Sequence, residues 1–251
     1  MSLSFTIITV TYNALKILDK TILSVINQTY NNIEYIIIDG KSDDGTVDLI
    51  RKYENKINYW ISEPDQGLYD AMNKGLQAAT GDYVWFLNAG DVFKNENAIS
   101  ELVEIAVQNG VPDILYGETD LIDKEGKRIG ERRLKAPAHL TWKSFKMGML
   151  VCHQAFIVKR ELAPLYNLQY HFSADFDWCI QCMKKAKTIV NTNRILVNYL
   201  QEGLTTANRK ASLKERYAIM CKYYGTFATL MRHIWFAIRF YWAKCFYREI
   251  A

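Results

Sequence analysis

Residues 86–91 of the sequence read FLNAGD and place an aspartate directly after an apolar run. Asn, Gly and Asp are the commonest turn residues, so Asp91 can simply close a turn. A carboxylate at the carboxyl end of a strand also lies where α/β proteins bind their ligands. Asp91 is therefore a candidate metal ligand, with an ordinary turn as the alternative.

Other apolar runs of the first half end in polar residues in the same way. Strands are predicted at 5–10, 33–38, 59–61 and 83–87, and helical spacing recurs between them. This alternation with short connections predicts the α/β class, with a doubly wound, mostly parallel sheet. The strand ends then share one edge, which carries Thr11, Tyr12, Asn13, Asp39, Asp65, Asn88 and Asp91.

The second half of the chain is less regular. Helices are predicted at 97–108 and 175–186, strands at 114–116, 155–158 and 195–199, and a hairpin tip at 123–127. No linker or internal repeat interrupts these elements. The simplest division is one domain over residues 1–205, followed by a helical extension over residues 206–251.

Composition excludes several classes of protein. The 251 residues are 49% hydrophobic, which is enough for a sizeable core. A formal charge of +4 is too weak to indicate a nucleic-acid partner. The cysteines are odd in number and irregularly spaced, which suits a reducing compartment better than a disulfide framework. With no leader and no apolar run that could span a bilayer, a cytoplasmic location is expected.

Four motifs carry a resemblance to a known family by their order and spacing: TVTYNA, IIIDGKSDDGT, SEPDQGLYDAMNKGLQAATGDYVWFLNAGD and SADFDW. Together they resemble the family 2 glycosyltransferases of GT-A fold, which are inverting enzymes that use nucleotide-sugars. The chain is most similar to bacterial enzymes that build polysaccharide or lipid-linked glycans. The resemblance implies a Rossmann-like nucleotide-binding half over residues 1–92 and an acceptor-binding half over residues 93–205.

The resemblance implies a nucleotide pocket at the strand ends. Asp39 matches the aspartate that accepts a hydrogen bond from the base, commonly uracil, and an ionised carboxylate can only accept. Asp65 matches a polar residue that approaches the nucleotide from the third strand. Two common family residues are absent, because Gly40 replaces a second aspartate and Met72 replaces an arginine. Thr11, Tyr12, Asn13 and Asn88 complete the implied pocket.

The same resemblance implies a metal ligand and a catalytic base. Asp91 matches the aspartate that coordinates Mn²⁺ or Mg²⁺ at the donor phosphates, which with waters complete the coordination. Asn88 and Gly90 stand where many relatives have carboxylates, which implies weaker metal affinity. Asp175 matches the base that takes the acceptor's proton, with Asp177 in reserve. A simple helix N-cap is the alternative for Asp175.

Three further features leave alternatives open. His153 and Gln154 precede a predicted strand and are candidates for acceptor binding, although the histidine can equally be structural. Cys179 and Cys182 lie at helical spacing without a second pair, which favours buried thiols over a zinc site. Residues 201–206 resemble the loop that closes over the donor, or form an ordinary surface loop.

The C-terminal extension carries an amphipathic pattern. Its apolar stripe contains Ile234, Trp235, Ile238, Tyr241, Trp242, Cys245 and Phe246, and Arg232, Arg239, Lys244 and Arg248 lie outside the stripe. Basic residues beside an apolar stripe are typical of an interfacial helix on an anionic membrane. A helix docked on its own domain, or on a second copy, gives the same pattern.

The sequence thus predicts a metal-dependent inverting glycosyltransferase. Its predicted donor is a nucleotide-sugar, a UDP-sugar, and its acceptor is a carbohydrate or a lipid-linked glycan. The predicted location is cytoplasmic, with contact at the inner face of the cytoplasmic membrane if the extension binds lipid. A non-catalytic nucleotide-sugar-binding scaffold is the alternative, which the departures at Gly40, Met72, Asn88 and Gly90 favour. No glycine-rich loop follows the first strand, which argues against a nucleotidyltransferase or a dinucleotide-dependent oxidoreductase.

Overall fold

The computed structural model describes residues 2–201 and 208–247, apart from the side chains of residues 209 and 239–247. The strands are β1 (Phe5–Thr11), β2 (Ile33–Asp39), β3 (Tyr59–Ser62), β4 (Tyr83–Phe86), β5 (Val92–Phe93), β6 (Ile114–Ile122), β7 (Arg128–Glu131), β8 (Phe156–Lys159) and β9 (Ile189–Leu200). The α-helices are α1 (Leu15–Ile26), α2 (Thr46–Lys52), α3 (Leu68–Ala78), α4 (Ala98–Gln108), α5 (Ala174–Lys185), α6 (Arg209–Tyr224) and α7 (Thr226–Tyr247).

The described strands form one sheet in the order β3-β2-β1-β4-β8-β6-β9-β5, and β7 pairs with β6. β3, β2, β1 and β4 run parallel, whereas β8 lies antiparallel to both of its neighbours. Thr11 pairs with Asp39, and Asp39 pairs with Ser62, so the polar ends of three strands lie side by side. The predicted α/β class, with its strand ends gathered at one edge, is confirmed.

Each face of the sheet has its own core. Ile8 and Val10 of β1 pack on the face covered by α3 and α5, whereas Phe5 and Ile7 pack on the face covered by α1 and α4. All four side chains are buried. Because this strand is covered on both faces, all seven residues of its sequence FTIITVT are buried and none is charged, instead of buried and exposed residues alternating.

Helix α3 approaches the sheet most tightly at Gly75, where a Cβ would lie 2.4 Å from Ile8 Cγ2. We expect Gly75→Ala to lower the free energy of unfolding by about 1–3 kcal/mol. This overlap outweighs the gain of about 1 kcal/mol that alanine brings in helix propensity. Denaturant unfolding measures the change, with the exposed Gln77→Ala on the same helix as control. A Gly75→Ala variant more stable than wild type would contradict this packing.

The described part of the extension is helical, as predicted. α6 packs beside α5 and buries Ile219 and Met220 in the core, and Gly225, with φ +85°, allows the sharp turn into α7. Among the helices of residues 2–201 and 208–247, none combines the length and the apolar character that crossing a bilayer requires.

Candidate active site

The loops after β1 and β2 are held together by a network around Asp39. Its carboxylate is fully buried and accepts hydrogen bonds from Ser42 N (2.9 Å), Ser42 Oγ (2.5 Å) and Ser62 Oγ (2.6 Å). Asn13 joins this network, because its backbone N–H donates to Ser42 Oγ (2.8 Å) and its Oδ1 accepts from Asp43 N (3.1 Å). The network fixes the loops at the ends of β1, β2 and β3, where the sequence predicts the nucleotide pocket.

Gly40 leaves room for the carboxylate of Asp65 at the rim of this pocket. A Cβ on residue 40 would lie 2.6 Å from Asp65 Oδ2 and 3.3 Å from Tyr12 Cδ2. The Asp65 carboxylate thus occupies space that a side chain at position 40 would need. Its Oδ1 accepts a hydrogen bond from Gly67 N (2.8 Å). Tyr12 is 67% exposed at the mouth, and Thr11 Oγ1 is buried without a hydrogen-bond partner among the described residues.

Asp91 lies where β5 meets the end of β9. The backbone N–H of Leu200 donates to its Oδ1 (3.0 Å), and Gln154 Nε2 donates to its Oδ2 (3.0 Å). Burial raises the pKa of Asp91 from 3.8 to about 6, against the opposing effect of these hydrogen bonds and of His153. A buried carboxylate without a paired cation among the described residues is well suited to receive one.

Asn88 supplies a second oxygen beside Asp91. Its Oδ1 is buried without a hydrogen-bond partner within the described residues, while its Nδ2 lies 3.3 Å from His153 Nε2. A carboxylate and an amide carbonyl are the hard oxygen ligands that Mg²⁺ and Mn²⁺ prefer. No cluster of three or more His, Cys, Asp or Glu side chains occurs in the described ranges. The donor set therefore fits a cation that a diphosphate and waters complete.

Asp175 lies in the first turn of helix α5, next to His153. Its Oδ2 lies 3.4 Å from His153 Nδ1, and its Oδ1 accepts from Tyr69 OH (3.2 Å) and from Phe176 N (2.9 Å). Burial alone would raise the pKa of Asp175. The hydrogen bond and charge of His153, together with the charge of Arg216, outweigh burial and hold this pKa below its usual value. Asp175 is thus ionised and able to accept a proton.

His153 and Gln154 link the two carboxylates. His153 lies between Asn88 and Asp175, and Gln154 donates to Asp91. Gln154 is only 3% exposed, and its Oε1 accepts from Cys152 Sγ (2.6 Å). The structure gives both side chains positioning contacts inside the site. Direct acceptor binding by this pair stays a prediction.

Asp177, the reserve base, lies apart from this group. Its carboxylate is buried and accepts from Gln181 Nε2 (2.6 Å), Tyr223 OH (2.9 Å) and Lys222 Nζ (3.1 Å). A residue two positions along a helix points to a different side, and here that side is covered by α6. We assign Asp177 to the packing of α5 against the extension.

Tyr69, Glu215 and Arg216 belong to the surroundings of Asp175 and were not predicted from the sequence. Glu215 accepts hydrogen bonds from His171 N (2.9 Å) and Phe172 N (2.8 Å), just before α5 begins. The extension therefore holds the segment that leads into Asp175, the candidate base. Tyr69 lies inside one of the quoted motifs, but no role could be predicted for it or for Glu215 and Arg216, because their contacts join positions far apart in the chain.

Two other sequence features have different outcomes. Cys179 and Cys182 are fully buried free thiols on α5, as predicted, and burial raises the pKa of both well above the usual value. The predicted donor loop at residues 201–206 falls outside the described residues, except for Gln201.

The fold and the site define an α/β protein whose polar strand ends gather at one edge of the sheet, and sequence comparisons give its family. The model of the family described as Glycosyl transferase family 2 matches residues 6–163. An uncharacterized glycosyltransferase of Mycobacterium tuberculosis is 33% identical over 180 residues, covering 70% of this chain and 67% of that protein. A PGL/p-HBAD biosynthesis glycosyltransferase of Mycobacterium bovis is 28% identical, covering 77% of this chain and 75% of that protein.

Solved structures show the same fold. S. aureus TarS 1–349 in complex with UDP superposes with a TM-score of 0.68 at 17% identity over 87% of this chain. A mannosyltransferase from Pyrobaculum calidifontis in complex with GDP-Man and Mn²⁺ gives a TM-score of 0.64 at 15% identity over 88% of this chain. The chain spans 66% and 65% of the lengths of these two proteins. The chain belongs to glycosyltransferase family 2, has the predicted GT-A fold and is a glycosyltransferase.

Proposed function

We propose that this enzyme transfers a sugar from a UDP-sugar to a hydroxyl of a carbohydrate or lipid-linked acceptor, with inversion. The observation that carries the proposal is the pair of carboxylates Asp91, which is buried, and Asp175, whose side chain is 13% exposed, with His153 and Gln154 connecting them. Burial raises the pKa of Asp91, whereas His153 and Arg216 lower that of Asp175. Pairs of acids whose environments separate their pKa values commonly perform separate roles in catalysis.

In the proposed reaction Asp175 is the general base. It takes the proton of the acceptor hydroxyl while the hydroxyl oxygen bonds to the anomeric carbon of the donor. The bond from that carbon to the diphosphate oxygen breaks, and the nucleoside diphosphate leaves with the electron pair. His153 and Tyr69 keep the Asp175 carboxylate oriented through contacts of 3.4 and 3.2 Å.

Asp91 and the carbonyl oxygen of Asn88 would hold a divalent cation, Mn²⁺ or Mg²⁺, at the donor diphosphate. When bound, this cation supplies Lewis-acid stabilisation of the negative charge on the leaving group. The structure of the Pyrobaculum mannosyltransferase with Mn²⁺ supports a metal in this family.

For the nucleotide, we propose a pocket of Thr11, Tyr12, Asn13, Asp39 and Asp65. The UDP and UDP-GlcNAc complexes of TarS support uracil as the base, and the GDP-Man complex of the mannosyltransferase supports guanine as the rival. Both oxygens of Asp39 already accept hydrogen bonds. Its Oδ1 accepts only from Ser42 Oγ among the described residues, so a base imide could donate a second hydrogen bond to Oδ1 without displacing a serine.

The raised pKa of Asp91 predicts how donor binding depends on pH. The pKa of Asp91 is about 6 in the folded, metal-free protein and 3.8 as the ordinary value. Between these two pH values the folded protein binds one proton more than the unfolded chain, so its free energy of unfolding falls as pH rises through this range. Metal needs the ionised carboxylate, so we expect Mn²⁺-dependent nucleotide affinity to fall about tenfold per pH unit below about pH 6. Titrations of UDP with Mn²⁺ across this range measure it, and a constant affinity would contradict the role of Asp91.

The proposed function is tested by incubating the enzyme with a panel of UDP-sugars and GDP-mannose and measuring release of the nucleoside diphosphate. We expect slow hydrolysis of one donor in Mn²⁺, which Asp175→Asn lowers. Binding of a nucleotide-sugar without any turnover, even with glycan acceptors added, would favour the non-catalytic scaffold instead.

A further inference from the structure

The outer side of α7 exposes a continuous apolar surface. Five side chains that are 44–76% exposed form what we call the apolar face: Phe227, Leu230, Met231, Ile234 and Ile238. Their spacing of three and four residues places them on one side of the helix. Contiguous apolar surface of this kind marks an interaction site in most proteins.

Within residues 2–201 and 208–238, no packing contact of α7 with the rest of the chain is made through this face. α7 packs on α6 through its opposite side, where Thr229 is fully buried and the ring of His233 lies 5.0 Å from that of Tyr217. At 100° per residue, Thr229 and His233 lie on the far side of the helix from Met231 and Ile238. The sequence left docking on the same domain as one alternative. Among the described residues, α7 docks through the side of Thr229 and His233 and not through the apolar face.

The distribution of charge indicates what covers the face. Residues 208–251 contain nine Lys or Arg and two Asp or Glu, a formal charge of +7. Residues 1–207 contain 22 Lys or Arg and 25 Asp or Glu, a formal charge of −3. The positive charge of the protein is thus concentrated in the segment that bears the apolar face, and Lys210 and Lys214 on α6 are exposed. A symmetric dimer through this face would bring two segments of +7 together.

We propose that the apolar face of α7 inserts into the surface of an anionic lipid bilayer, with the basic residues of the extension contacting the headgroups. An apolar face flanked by Lys and Arg binds such surfaces through buried apolar area and electrostatic attraction together. This extends the proposed function, because α6 also holds the start of α5 through Glu215. Membrane binding would therefore place the base next to a lipid-linked acceptor.

Flotation of the full-length protein with vesicles tests the proposal, without nucleotide or metal. We expect binding to vesicles that contain phosphatidylglycerol, weak binding to phosphatidylcholine alone, and weakening by salt. The triple variant Phe227→Ser, Ile234→Ser, Ile238→Ser should bind at least about tenfold more weakly, because it removes apolar area from the lipid contact. The matched control is Val107→Ser, Ile129→Ser, Leu165→Ser, whose wild-type side chains are 47–53% exposed elsewhere. It should float like wild type.

Circular dichroism verifies that both triple variants keep their helices. The proposal is overturned if wild type fails to float at low salt, or if the α7 variant floats equally well. It is also overturned if wild type forms a dimer that the α7 variant dissociates and neither floats, since the face would then bind a second copy. Asp91→Asn should float normally, so failure of the donor site and failure of this proposal remain distinguishable.

Discussion

Replacing Asp175 with asparagine is expected to lower kcat by about 10²–10⁴-fold while leaving donor affinity nearly unchanged. An amide cannot take the proton of the acceptor hydroxyl, but it keeps the shape that Tyr69 and Phe176 N contact. Because the pKa of Asp175 is lowered in the folded protein, its charge stabilises the fold above its unfolded pKa. We therefore expect a small loss of stability at neutral pH as well. Initial rates at saturating donor, with thermal unfolding alongside, measure both effects.

Asp177→Asn is the matched control, on the same helix two residues further along. It weakens the contact with Lys222, at 3.1 Å, and with Tyr223, at 2.9 Å, so it should lower stability more than Asp175→Asn does. Its kcat should stay close to that of wild type. An inactive Asp177→Asn enzyme beside an active Asp175→Asn enzyme would show that Asp177, and not Asp175, is the catalytic base.

Asp91→Asn is expected to lower turnover in Mn²⁺ by about 10²-fold or more, because loss of a ligand costs at least as much as loss of an outer contact. The metal-free variant should nevertheless be as stable as wild type or more so at neutral pH. Burial raises the pKa of Asp91 to about 6, so its charge destabilises the metal-free fold above that pH. Rates measured across a range of Mn²⁺ concentrations, combined with unfolding in chelator, give both numbers.

The exposed Asp48→Asn on α2 serves as the control for Asp91, since it removes the same charge from the surface. It should change neither rate nor stability appreciably. An Asp91→Asn enzyme that turned over normally at low Mn²⁺ would show that the metal is held elsewhere or is not required.

The first half of the fold could be predicted because its periodicity is regular. Four apolar runs separated by helical spacing leave few arrangements other than a parallel sheet, so Asp39 after β2 and Asp91 after β4 fall at the same edge of the sheet, with β1 between the two strands. The family motifs then placed Asp175 near them, and the structure brings it to His153 at 3.4 Å. Local pattern and motif order together therefore placed the main acidic residues of the site.

The second half could not be predicted in the same way, because its contacts depend on pairings between distant segments. The strand β5 is only two residues long, yet the end of its partner β9 brings Leu200 N to Asp91 from 109 positions away. The position of the Asp65 carboxylate beside Gly40 likewise depends on how the loops after β2 and β3 pack against each other. Glu215 reaches the start of α5 only after the extension has packed.

Calorimetric titration of the wild-type enzyme with UDP and with GDP, each in Mn²⁺ and in chelator, shows whether Asp91 holds a metal at the donor diphosphate. We expect that UDP binds in Mn²⁺, that chelator weakens this binding at least about tenfold, and that Asp91→Asn in Mn²⁺ behaves like wild type in chelator. Preferential binding of GDP would still support a metal at Asp91, but the donor would then carry guanine instead of uracil. Tight UDP binding indifferent to both chelator and Asp91 would contradict the assignment of Asp91 and Asn88 as the metal site.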